Sequence, residues 1–166
     1  NFWGYGAHAI LPYSHDLRDL PKYLQQLDME SNGKSVCLDG RGAACASGPV
    51  IFGEAGTNAQ HAFMQLLHQG TDIIPADFVV VKGPAHGLTH HHEQLLSNAL
   101  AQSKALVDGK DSSDLHRKFP GNRPSSTLML PQLNPKYLGM LLALYEHKIF
   151  VQGALWGINS FDQWGV

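Results

Sequence analysis

The apolar positions of this chain switch between two periods. Ala7 to Tyr13 is a short, mostly apolar run followed by Ser14, which reads as a buried strand. From Asp16 the period lengthens: Leu17, Leu20, Tyr23, Leu24 and Leu27 recur at helical spacing, with Ser14 or Asp16 placed to cap the start. Pro21 predicts a kink or a late helix start, because a proline lacks the backbone N–H that an interior position needs. Ser31-Asn32-Gly33 predicts the end of that helix through a left-handed closing residue. Residues 34 to 50 mix Gly, Ala, Ser and Cys without a period, so a hairpin or irregular loop is expected, turning at Gly40-Arg41-Gly42.

A second helix is predicted over Asn58 to His68, with Ala62, Phe63, Leu66 and Leu67 on one face and Gly70 ending it. Ile73 to Val81 is β-branched and apolar without alternation, the pattern of a strand covered on both faces. A long helix follows over Thr89 to Leu106, then a polar connection from Asp108 to Pro120 and a turn at Gly121-Asn122-Arg123-Pro124. Ser126 to Leu130 reads as a strand, Pro135 suits the first turn of a helix running to Phe150, and Leu155 to Ile158 reads as a last short strand. Alternating strands and helices predict an α/β fold, a three-layer α/β/α sandwich with a mostly parallel, Rossmann-like sheet. No internal repeat is visible.

Composition narrows the partners. At 166 residues and 43% hydrophobic, the chain suits one domain with a sizeable core. Twelve Lys and Arg against fourteen Asp and Glu leave a net charge of -2, so there is no basic field to hold nucleic acid or an anionic membrane. The longest apolar stretches, Met140 to Leu144 and Phe78 to Val81, fall far short of the roughly 20 residues of a membrane-spanning helix, and a soluble protein is expected. Cys37 and Cys45 lack Cys-x-x-Cys spacing, which fits a reduced, cytoplasmic setting, with a bridge between them as the alternative.

Candidate chemistry sits in three segments. Met29-Glu30-Ser31-Asn32-Gly33-Lys34 leaves Glu30 at a helix C-terminus, and Gln26 lies one turn earlier on the same face. The negative end of the helix dipole disfavours a charged carboxyl there, and in a site closed to water Glu30 gains basicity as a proton acceptor. The dipole supplies only about 0.3 to 1 kcal/mol, less than the roughly 1.4 kcal/mol of one pKa unit, so desolvation must do the rest. Gly53-Glu54-Ala55-Gly56-Thr57-Asn58-Ala59-Gln60-His61-Ala62-Phe63 places His61 in the first turn of the second predicted helix, where the positive dipole end keeps the ring neutral. Taken alone, Glu30 reads more often as a solvated residue at a helix end and His61 as an N-terminal helix residue with a local hydrogen bond. Ser160-Phe161-Asp162-Gln163-Trp164-Gly165-Val166 closes the chain.

Together these segments resemble the glucose-6-phosphate isomerase, or phosphoglucose isomerase, family. Gly121-Asn122-Arg123-Pro124 and Tyr145-Glu146-His147-Lys148-Ile149-Phe150-Val151-Gln152-Gly153 resemble it as well, in order, so the resemblance covers nearly the whole chain. It implies that residues 1–166 are a C-terminal sugar isomerase domain, a fragment of a longer two-domain chain. The start at Asn1 without methionine, and the stop at Val166 where the family continues with a glutamate and a lysine, lead to the same expectation. The resemblance further implies a cofactor-free aldose-ketose isomerase interconverting glucose 6-phosphate and fructose 6-phosphate through an enediolate. Glu30 is its implied catalytic base and His61 its implied ring-opening residue, reaching the site of a second copy in a homodimer. Gln26 is implied to contact the sugar phosphate and Gln163 to line the same site. The family's lysine, its arginine and its Ser/Thr-rich phosphate loop are absent from these residues, so the fragment alone is expected to be inactive.

Two departures are small: Ala55 and Ala59 stand where proline and glycine are usual, and the connection over Asp111 to Lys118 is short. Alternative readings are a non-catalytic sugar-phosphate sensor and a dimerisation fragment without a sugar-phosphate response. No metal site is expected: His86 and the run His90-His91-His92-Glu93 lack the His-Glu-x-x-His spacing that puts two ligands on one helix face. His68 and His147 read as structural, and Trp3, Trp156 and Trp164 as core packing. Gly40-Arg41-Gly42-Ala43-Ala44-Cys45 lacks the third glycine and the preceding strand of a dinucleotide loop.

Overall fold

The computed structural model describes residues 3–165; Asn1, Phe2 and Val166, the last closing the C-terminal motif, lie outside them. Strand β1 (Ala7–Tyr13) is followed by helix α1 (Leu20–Leu24), which runs on as a π-helical segment over Gln25–Glu30. Then come β2 (Val50–Gly53), α2 (Gly56–Ala62), α3 (Met64–Gln69), β3 (Ala76–Gly83), α4 (Thr89–Asp108), β4 (Ser125–Gln132) and α5 (Pro135–Trp156). The four strands form one parallel sheet in the order β2-β1-β3-β4. Central β3 is buried along Phe78 to Val81, as a strand covered on both faces requires.

Apolar packing makes the three layers. On one face, Leu20 and Leu24 of α1 and Leu141 and Tyr145 of α5 meet Ile10, Ile51, Val79 and Val81 of the sheet. On the other, Ala59, Met64, Leu67, Ala99 and Leu106 of α2, α3 and α4 meet Leu11, Tyr13, Phe78 and Val80. Side chains that alternate along β1 and β3 thus feed two cores, and the expected α/β/α sandwich results.

Local chemistry departs from the expected pattern at several points. Helix α1 starts late, with Pro21 in its first turn, and Asp19 precedes it without a side-chain cap, so neither Ser14 nor Asp16 caps it. The helix ends at Asn32 as predicted, but Gly33 is not left-handed; its N–H closes onto the Met29 carbonyl at 3.0 Å. Strand β2 was missed, since four residues at a sheet edge give too short a signal. The predicted Asn58 to His68 helix divides at Phe63 (φ −147°), whose ring meets Phe52 edge-on at 5.0 Å. No strand forms over Leu155 to Ile158: α5 continues to Trp156 and closes at Gly157, left-handed at φ 68°. The tryptophans are also corrected. Trp3 is 83% and Trp164 91% exposed, since neither lies in a helix or strand, and Trp156, in the last turn of α5, is half-buried.

Candidate active site

Gln26 and Glu30 both project to solvent from the π-helical segment at the end of α1. Such widened turns cost backbone regularity and concentrate at functional sites. Nothing among the described residues covers Glu30, so this chain does not itself supply the desolvation expected of a closed site. What the chain supplies is anchorage. Lys34 Nζ donates to the carbonyls of Glu30 and Ser31, each at 2.8 Å, and pairs with Asp162 at 3.7 Å. Asn32, fully buried, donates from Nδ2 to the Ile149 carbonyl at 3.0 Å and accepts from the Ser160 hydroxyl at 2.7 Å. The Glu30 motif and the Gln163 motif are therefore held against each other, with exposed Gln163 following Asp162 directly. A cavity of about 490 Å³ opens beside this junction, lined by Lys34, Cys37, Asn159, Asp162 and Trp164 among others.

His61 is not brought to this place. It is exposed in the last turn of the seven-residue α2, not the first turn of a longer helix, because the helix starts at Gly56 and breaks at Phe63. The expectation of a neutral ring held by a positive dipole end therefore loses its basis. Helix α2 packs on the sheet face opposite to α1, so the sheet lies between the helices carrying Glu30 and His61.

The family model described as phosphoglucose isomerase matches residues 1–166. The chain belongs to the phosphoglucose isomerase family. Among curated relatives, the glucose-6-phosphate isomerase of Polaromonas naphthalenivorans is 58% identical over the whole chain, which covers 32% of that protein. That of Leptothrix cholodnii is 53% identical, again over the whole chain and 36% of its own length. The crystal structure of a glucose-6-phosphate isomerase from Chlamydia trachomatis superposes with a TM-score of 0.94 at 45% identity, over 99% of this chain and 33% of that one. A hypothetical protein from Thermus thermophilus superposes at 0.76 and 25% identity, over 97% of this chain and 39% of that one. The chain thus spans about a third of the length of the curated relatives it matches.

Beneath the Glu30 segment this phosphoglucose isomerase family chain holds a half-buried polar network that sequence reasoning missed. Lys148 Nζ lies 3.2 Å from His8 Nδ1, His8 Nε2 meets Asp77 Oδ2 at 3.2 Å, and the Tyr145 hydroxyl donates to the same oxygen at 3.0 Å. Burial pushes the Asp77 carboxyl up, but the hydrogen bond from His8, the charges of His8 and Lys148 and the Tyr145 bond outweigh it and leave Asp77 below the usual carboxylate range. Asp28, two residues before Glu30, feels the same Lys148 and His8, yet burial dominates and holds it above that range. Its Oδ1 has no hydrogen-bond partner within the protein. Burial, then the Asp77 charge and bond, likewise raise the Tyr145 phenol. Only Asp77 left a sequence signal, as a lone charge in an apolar strand read as covered on both faces.

Elsewhere the histidines do structural work. His92 is buried, with Nε2 against the carbonyls of Val81 at 2.8 Å and Lys82 at 3.1 Å. His68 Nε2 lies 2.9 Å from Gln102 Oε1, as a structural histidine should. His147 is exposed. Among the described residues no group of three His, Cys, Asp or Glu side chains is disposed to hold a metal ion, and no helix is long and apolar enough to cross a membrane. Cys37 and Cys45 are free thiols, and Gly40 (φ 82°) turns a small loop closed by a bridge between Val36 and Gly42.

Proposed function

We propose that this chain is the C-terminal sugar isomerase domain of a glucose-6-phosphate isomerase, interconverting glucose 6-phosphate and fructose 6-phosphate. The observation that carries the reading is the family match over all 166 residues, with 58% identity to the Polaromonas isomerase. Glu30 takes the proton from C2 and returns it to C1 across an enediolate, so one carboxylate serves both carbons. His61 opens the sugar ring, Gln26 holds the phosphate and Gln163 lines the site. The site is shared between two copies in a homodimer of the cytoplasm, and two observations support the sharing. Glu30 and His61 stand on helices separated by the sheet, and both are exposed among the described residues. A second copy that brings its His61 over Glu30 also supplies the water exclusion that a basic carboxylate needs.

The test is a coupled assay of fructose 6-phosphate conversion by the full-length protein and its Glu30→Gln variant, which keeps the shape and removes the base. A fall of about two to four powers of ten in kcat, the usual contribution of a positioned base, is the expected result. A full-length protein indifferent to the substitution overturns the assignment of Glu30. Full-length protein that binds sugar phosphate without converting it overturns the catalytic reading altogether.

A further inference from the structure

We infer that Asn32 and Ser160 form a positioning joint that fixes the base-bearing end of α1 against the Gln163 segment. The inference rests on the reading of Glu30 as the base. Asn32 is fully buried and does not itself reach a ligand. Its two polar ends both reach neighbours far away in sequence, Nδ2 the Ile149 carbonyl of α5 and Oδ1 the Ser160 hydroxyl, and its side chain also bonds to the nearby Asp28 carboxyl. Asn32 follows Glu30 by two residues and Ser160 precedes Gln163 by three, so one hydrogen bond sets the spacing of the two motifs.

The room for that bond is built into α5. A Cβ on Gly153 would stand 2.0 Å from Ser160 Oγ and 3.0 Å from Asn32 Oδ1, so position 153 accommodates no side chain without pushing the hydroxyl away. The Lys34 to Asp162 pair makes a second, weaker link between the same segments, at a site where both side chains keep some solvent contact. Among the described residues the Glu30 carboxylate has no hydrogen-bond partner, and it moves wherever the end of α1 moves. An acceptor left unpaired in the interior favours rearrangement over staying in place, and loss of the Ser160 hydroxyl leaves Asn32 Oδ1 in that condition. A base displaced by about 1 Å costs up to a hundredfold in rate.

The test uses the full-length protein with Ser160→Ala, Gly153→Ala, the double variant and Glu30→Gln as control, each checked for folding by circular dichroism. Ser160→Ala is expected to lower kcat by about ten- to a hundredfold with KM close to wild type; an unfolded fraction would mimic that split, so the loss counts only where circular dichroism and the melting curve show the variant fully folded at the assay temperature. Gly153→Ala acts by evicting the same hydroxyl, so the double variant is expected to be no worse than the poorer single one. Wild-type kcat in Ser160→Ala beside an inactive Glu30→Gln overturns the joint and leaves the function intact. Additive losses, or a rise in KM that accounts for the whole effect, overturn it as well. An active Glu30→Gln enzyme overturns the functional reading on which the joint rests. If Gly153→Ala fails to fold, Ser160→Ala alone decides the matter.

Discussion

The two faces of the sheet bury their polar side chains differently. On the α2, α3 and α4 side, His92 and Arg123 spend themselves on backbone carbonyls: His92 on Val81 and Lys82, Arg123 on Gly70 and Asp72. On the α1 and α5 side, polar side chains bond to one another, the half-buried Lys148, His8 and Asp77 with buried Tyr145, and buried Asn32 with half-buried Ser160. Side-chain-to-carbonyl bonds close loops and helix ends, whereas side-chain-to-side-chain bonds fix one element in register against another. Side-chain pairs of this kind also cross the other face, from Gln60 to Tyr13, His68 to Gln102 and Ser103 to Ser125, but the face that carries Glu30 adds to them a chain of ionisable groups through Asp77. Apolar contacts there tolerate small slides of one element past another; directional bonds between polar side chains do not.

The comparison predicts where each face breaks. On the α2 to α4 face the largest effect is a cavity: Phe78→Ala, at a fully buried ring packed 5.9 Å from that of Tyr13, is expected to cost about 3 to 5 kcal/mol of stability in urea unfolding. Arg123→Ala should come next, at about 2 to 3 kcal/mol, because the Gly70 and Asp72 carbonyls lose a charged donor; a variant as stable as wild type would mean that water replaces the guanidinium there.

The α1 and α5 face is sharpened by two carboxylates under the same cations. Asp77→Asn is expected to destabilise by about 1 kcal/mol near neutrality. The Asp77 carboxyl lies below its ordinary range, so its contribution is present above the unfolded-state value and fades as pH falls through the folded one; the gap between wild type and variant should close in acid. Asp28 has the opposite sign. With its carboxyl raised by burial, its contribution is fully present below the unfolded-state value and is lost as pH rises through the folded one. Asp28→Asn should therefore match wild type in acid and exceed it slightly near neutrality, a smaller effect than the Asp77 loss. Thermal melts of both variants from acid to neutral pH check the pair, and a common sign for the two substitutions would show that Lys148 and His8 do not divide them.

Legibility in the sequence followed the length of the signal. Strand β1 was read to its exact ends, and α4 to within two residues, because each carries a sustained period over its whole length. Strand β2 has four residues at an edge and carries no such period, and the break at Phe63 answers to a ring contact with Phe52 that no local pattern encodes. In the candidate site, Glu30 and Gln26 were placed correctly at the end of a helix, while the π-helical widening under them was not foreseen. Asn32 was read as part of a helix stop and proved to be a tie to two other segments.

By itself the sequence determined the alternation of strands and helices, the three layers, the family and the candidates for its chemistry, since periodicity and motif are properties of neighbours along the chain. Only the tertiary structure decided which carboxylates are buried, that Trp3 and Trp164 face solvent, and that Glu30 and His61 stand on opposite faces of the sheet. The contacts responsible join Tyr145 to Asp77 across 68 residues, Ser160 to Asn32 across 128 and Lys148 to His8 across 140. Pairings at such separations are set by strand order and helix placement, and burial then determines how strongly each paired charge is felt.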